Sequence, residues 1–165
     1  MALSSTQIGA IAETLVANEL MIHSEGRLSP FSPIADDDGI DILIFDKQTG
    51  TALPLQVKAR TRTLQGGNTV HFEVRKRALR ETRHGMLLCL LLDPDLRGIA
   101  RTWIVPFSHV PTVASERAEK YVLRPSRAVA SRDRYRHFQC ETMAELANRV
   151  LKAMQPPCDS GKVHA

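Results

Sequence analysis

Cysteine is scarce in this sequence. The three that occur, Cys89, Cys140 and Cys158, are odd in number and far apart, which argues against a disulfide framework and against a cysteine-built zinc site. Aromatic residues make up 5% of the chain and include one tryptophan, too few for a surface that holds single strands by stacking successive bases. No apolar run approaches the roughly 18 residues of a membrane helix, and the first residues lack the basic start and apolar stretch of a secretory leader. A cytoplasmic location with no membrane partner is therefore expected. There is also no glycine-rich phosphate loop, no nucleophile elbow and no internal repeat.

What is present fits one ordinary globular domain: 165 residues, 43% of them hydrophobic and 24% charged. The net charge is only +4, but its distribution is uneven. Residues 58–84 carry Lys58, Arg60, Arg62, Arg75, Lys76, Arg77, Arg80 and Arg83 against Glu73 and Glu81. A second basic stretch holds Arg124, Arg127, Arg132, Arg134 and Arg136 against Asp133. Clustered cations suit a polyanion such as nucleic acid, and they equally suit a solvated surface laced with charge.

Periodicity outlines the elements. Residues 6–22 contain no proline, follow N-cap candidates Ser4 and Ser5, and read as a helix. Residues 40–45 and 52–58 are rich in Ile, Leu and Val on either side of the turn-forming Asp46-Lys47-Gln48-Thr49-Gly50, which predicts a hairpin. Residues 61–68, with Gly66-Gly67, read as a mobile loop. Residues 69–75 alternate as a half-buried strand, with Val70, Phe72 and Val74 inward and His71, Glu73 and Arg75 outward. A short basic helix is expected over 76–84, a strand buried on both faces over 86–92, and another over 100–105 with Trp103 in the core. Short elements follow at 108–114 and 120–123, then a helix at 141–154 that lays an apolar stripe on the core. The globular domain is expected to span residues 1–154, with a disordered tail at 155–165.

The hairpin register brings chemistry together. If residues 47–50 form the loop, Asp46 faces Thr51, and counting back places Asp41 opposite Gln56, with Cβ atoms about 4.5–5.5 Å apart. Lys58 lies two residues on and so shares their face, while Ile40, Ile42, Ile44, Leu55 and Val57 share the other. A carboxylate, an amide oxygen and an ammonium on one side of an apolar sheet can build a cation site for phosphate chemistry. They also fit a plain surface ion pair between Asp41 and Lys58.

The first helix adds an acid. Gln7, Thr14, Asn18 and Met21 form its outward arc, whereas Glu13 has Gly9, Ala10, Val16, Ala17 and Leu20 as neighbours. A carboxylate in such a stripe needs a partner, either a cation or an ion-pairing side chain, or it must reach water at the helix edge.

The order Gly9-x-x-Ala12-Glu13-x-x-Val16-Ala17-x-x-Leu20, Asp38-Gly39-Ile40-Asp41 and Gln56-Val57-Lys58-Ala59-Arg60 resembles the PD-(D/E)XK nuclease superfamily. The likeness is nearest to Mrr-like restriction enzymes, Holliday-junction resolvases and small bacterial nuclease domains. It implies an α/β fold with a restriction-endonuclease-like mixed β-sheet flanked by helices in a single domain, and metal-dependent hydrolysis of phosphodiester bonds in DNA. By position it implies Asp41 as the central metal-ligating acid, Gln56 where the second acid usually stands, Lys58 as the catalytic lysine and Glu13 as the helix acid. Mg²⁺ or Mn²⁺ would be held by Asp41, Gln56 and Glu13, with Asp38 as a secondary candidate. Arg60, Arg62, Arg75, Lys76, Arg77 and Arg80 would contact nucleic acid, and a homodimer is plausible for cutting two strands. Glutamine in place of an acid is a departure, and it leaves open an alternative, a non-catalytic DNA-binding or scaffold module on a degenerate nuclease fold.

Overall fold

The computed structural model of this chain describes residues 3–35, 39–80 and 84–155, with Arg80 described by its backbone alone. Helix α1 (Ser5–His23) opens the chain, followed by strands β1 (Leu28–Phe31), β2 (Ile42–Asp46) and β3 (Ala52–Arg60). Next come β4 (Phe72–Arg75), the short α2 (Arg77–Arg80), β5 (Met86–Leu92), β6 (Ile99–Pro106) and α3 (Val110–Val113). The short strands β7 (Ser115–Glu116), β8 (Lys120–Leu123) and β9 (Gln139–Cys140) precede the closing helix α4 (Met143–Ala153).

Six strands form the main sheet in the order β1-β2-β3-β5-β6-β9. It is mixed: β3 and β5 run parallel, and the other pairs are antiparallel. All seven residues of β5 are buried, as expected for a central strand covered on both faces. Ile42, Ile44, Leu55, Val57, Leu88 and Leu90 face one layer, made by Ala12, Val16 and Leu20 of α1 and Leu146, Ala147 and Val150 of α4. Leu87, Cys89, Leu91, Trp103 and Val105 face the other, where Val70, Phe72, Val74 and Leu123 arrive from the small sheet β4-β8-β7. Burial accordingly pushes the Cys89 thiol up to about 12.

Local chemistry explains where elements start. Ser4 Oγ accepts the Gln7 N–H at 3.2 Å while the Ser4 N–H donates to Gln7 Oε1 at 2.9 Å, a reciprocal cap on α1. Thr142 Oγ1 caps α4 by accepting from Glu145 N. The hairpin turn closes with Gly50 N–H donating to Asp46 O at 2.8 Å, and Gly50 takes a positive φ of 72°.

The structure departs from the sequence reading in a few places. Strand β1 was not foreseen, because Pro30 interrupts its pattern; proline is accommodated here because β1 is an edge strand. The loop at 61–68 is joined to the rest of the fold at its far end: Leu64 N–H donates to Thr69 O at 2.7 Å, and the backbone at 68–70 bonds to residues 125–127. Of the basic helix expected over 76–84, Arg77–Arg80 are helical, and residues 81–83 lie outside the described residues. Residues 156–165 of the expected tail also lie outside them. Among the described residues no helix is long and apolar enough to cross a membrane.

Candidate active site

The hairpin register is the one the turn predicts. Ile42 pairs with Leu55 and Phe45 with Ala52, and Asp41 follows one step beyond the last pair, where continued pairing would meet Gln56, with the Asp41 N–H donating to Leu55 O at 2.9 Å. There the two strands part. Strand β2 stops at Ile42, whereas β3 continues to Arg60, paired on its other side with β5, so one edge of β3 is released beyond Gln56. The Val57 N–H at that edge donates to Asp41 Oδ2 at 2.6 Å. A side-chain carboxylate replaces the missing ladder acceptor, and this pins Asp41 to the backbone between Gln56 and Lys58.

Gln56 and Lys58 pair with Leu87 and Cys89 and therefore point to the face away from α1. Lys58 Nζ is 3.8 Å from Asp41 Oδ2, an ion pair without a short hydrogen bond. Gln56 is 5% exposed, and its Oε1 has no hydrogen-bond partner among the described residues. A buried amide oxygen of this kind is a hard donor that a cation or an N–H could engage.

Gly39 shows why the motif contains glycine. Its φ is +69°, and a Cβ there would lie 2.5 Å from Ala78 Cβ and 3.3 Å from Gln56 Nε2. Gly39 is thus pressed between α2 and the Gln56 amide, and α2 is brought beside the site. Sequence reading did not anticipate Ala78; no local pattern marks a contact made across the fold.

The remaining candidates are placed as follows. Glu13 is half-buried on α1, next to the stripe of Ala12, Val16 and Leu20, and α1 packs on the opposite face of β3 from Gln56 and Lys58. Asp38 lies outside the described residues. Arg60, at the end of β3, and Arg62 are exposed, as are Arg75 and Arg77. Lys76 is engaged elsewhere, paired with Glu116 and set 5.6 Å from the centre of the Tyr121 ring. The Arg80 side chain is not described. His71 and Glu73 belong to a separate ionic group: Lys120 Nζ donates to Glu73 Oε2 at 2.6 Å and Arg124 Nε to His71 Nδ1 at 3.4 Å. The Lys120 bond, with His71 adding to it, lowers the Glu73 carboxyl to about 2.

A divalent cation fits the chemistry of Asp41 and the Gln56 oxygen, both hard oxygen donors, one of them orphaned. Among the described residues no group of three or more His, Cys, Asp or Glu gathers into a metal cage.

No family model and no curated protein sequence matches this chain. Among solved structures it is similar to the bacterial homing endonuclease I-Ssp6803I, with a TM-score of 0.59 and 15% identity over 93% of this chain and 95% of that one. It is also similar to the Holliday junction resolvase Hjc of the archaeal hyperthermophile Archaeoglobus fulgidus, with a TM-score of 0.44 and 12% identity over 79% of this chain and 98% of that one. The chain has the restriction-endonuclease-like α/β fold, a mixed sheet flanked by helices in a single domain, with the fold assignment resting on the first likeness.

Proposed function

We propose that this chain is a metal-dependent nuclease that hydrolyses phosphodiester bonds in DNA. The observation that carries the reading is the meeting of three groups at the parting of β2 and β3. Asp41 is fixed by the Val57 N–H, Gln56 presents a buried oxygen without a partner, and Lys58 stands 3.8 Å from the carboxylate. A bound Mg²⁺ or Mn²⁺ would polarise the scissile phosphate and lower the pKa of the attacking water.

Asp41 and Gln56 would hold such an ion, and Glu13 would reach it, directly or through water, across the released edge of β3. The Lys58 ammonium would offset charge on the phosphoryl oxygens as water attacks phosphorus and the bond to the departing strand breaks. Arg60 and Arg62, exposed just beyond Lys58, would hold neighbouring phosphates and leave base sequence unread. Cutting both strands of a duplex would call for a second copy.

The test is incubation of the purified protein with linear, supercoiled and branched DNA in Mg²⁺, Mn²⁺ or EDTA. Cleavage in metal, absent in EDTA and reduced about 100-fold or more in Lys58→Ala, is the expected result. One observation favours a second reading, that of a binding module without turnover: Gln56 stands where an acid would strengthen the metal site. DNA binding with no cutting under any of these conditions would establish that module and remove the enzyme.

A further inference from the structure

The two basic stretches are far apart in sequence but joined in the fold. Arg127 N–H donates to Asn68 O at 2.8 Å, Val70 N–H donates to Pro125 O at 2.9 Å, and Thr69 bridges Ser126. The loop that follows β3 and the loop that follows β8 are thus laced together along their backbones. Asp133, the acid within the second stretch, is occupied in shaping it: Oδ2 accepts from Ser126 N at 2.7 Å and Oδ1 from Tyr135 N at 3.0 Å. Its charge is thereby directed inward to the backbone.

A row across the main sheet connects these loops to the candidate site. Arg60 pairs with Leu91, and Leu91 with Arg101, so Arg60 and Arg101 flank one β5 residue on the face that carries Gln56 and Lys58. Arg60 follows Lys58 by about 6.6 Å of strand rise, and Arg101 lies two strand spacings away, about 9.6 Å. Arg101 Nε in turn donates to Arg127 O at 3.1 Å. Arg62, Arg127 and Arg132 are exposed, and none of the ion pairs among the described residues involves them.

We propose that the loop of residues 124–134 forms the far half of a phosphate-binding track. The track starts at Lys58, runs through Arg60 and Arg101 to Arg127 and Arg132, and takes the sugar-phosphate backbone of DNA without reading its bases. The proposal rests on the nuclease reading only for its starting point. The stretch from Lys58 to Arg101 alone is on the order of 11 Å, about three nucleotides of rise along one strand. Arg101 is a positioning residue here, since its guanidinium is committed to the backbone of the loop. Arg127 and Arg132 are the phosphate contacts, and the backbone bonds that hold their loop survive truncation of either side chain.

The experiment measures equilibrium binding of a short labelled DNA duplex in EDTA, where no turnover is needed, over a range of salt concentrations. For the double variant Arg127→Ala/Arg132→Ala the slope of log affinity against log salt should become shallower by about 1.5–2, since each lost phosphate contact removes about 0.9. Affinity near 0.1 M salt should fall roughly ten-fold or more. Lys152→Ala removes the same kind of charge from α4 on the opposite layer and should bind as the parent does, and thermal melting should show all the proteins folded. A double variant with the parent's slope and affinity overturns the track, as does a Lys152→Ala effect of equal size or a parent protein that does not bind DNA. Binding that follows this pattern without cleavage in Mg²⁺ would sink the catalytic reading and leave the track standing.

Discussion

The two aspartates that bracket β2 differ in what their oxygens are given to bond. Asp46 is 1% exposed, with Arg27 Nε on Oδ1 at 2.8 Å, Arg27 Nη2 on Oδ2 at 2.7 Å, and further bonds from Gln48 N and Thr49 Oγ1. The Arg27 bonds hold its carboxyl far below the usual carboxylate range, with the Gln48 and Thr49 bonds adding to the effect against the opposing pull of burial. Asp41 is 12% exposed, accepts a short bond from Val57 N, and lies 3.8 Å from the Lys58 ammonium and beside the buried Gln56 amide. One carboxylate is saturated and holds the turn and the edge strand together. The other is held to the backbone by the Val57 N–H and lies beside the Lys58 ammonium and the Gln56 amide, groups that can take part in chemistry. Carboxylates of equal standing in sequence thus divide into a structural and a chemical one by their neighbours.

The sharpest way to break that contrast is to remove each acid in turn. Asp41→Asn keeps an acceptor for Val57 N–H and should melt within a few degrees of the parent, yet lose metal-dependent cleavage by about 100-fold or more. Asp46→Ala should do the reverse. It strands Arg27 and two turn donors and should lower the melting temperature by about 5–10 °C, while the protein still folded at low temperature cuts DNA at close to the parent rate. An Asp46→Ala protein that is folded but inactive would end the distinction.

A smaller effect tests the orphan oxygen. Gln56→Glu places a second carboxylate beside Asp41, so the metal-free protein should be destabilised by like charge and Mn²⁺ should bind roughly ten-fold tighter by titration calorimetry. Unchanged Mn²⁺ affinity would mean that Gln56 does not face the ion.

The smallest effect is in pH dependence. Asp46 and Glu73 both have folded pKa values below their unfolded ones, so each contributes stability that is full above the ordinary carboxylate range and is lost as pH falls through the folded value. Stability should therefore be flat near neutrality and decline below about pH 4.5, towards the Glu73 value of about 2. Asp46→Asn should flatten that acid limb more than Glu73→Gln does, because Glu73 is a third exposed and screened by solvent. The opposite ranking in acid-unfolding curves would show that the turn carboxylate is not the more strongly held of the two.

Much of this was legible in the residues. The turn at 46–50 and the alternation along 52–58 were enough to set Asp41 level with Gln56 and to put Lys58 on their side, because strand side chains alternate strictly and a turn length sets register. The buried run at 86–92 and the capped helices were equally plain. Arg27 was invisible as a partner of Asp46, since their meeting depends on an edge strand that Pro30 disguises. The glycines of the loop at 61–68 speak only of local freedom, and its backbone bonds to residues some sixty positions later leave no mark in that segment.

The sequence by itself determined the hairpin, its register and the common face of Gln56 and Lys58, since these follow from local turn chemistry and the two-residue period of a strand. Only the tertiary structure decided that β2 leaves β3 at Asp41, that α2 closes on Gly39, and that two distant basic loops are laced into one surface. Those outcomes depend on packing between elements remote in the chain, where contact is settled by burial and backbone pairing across the whole core, and no spacing within a single segment records it.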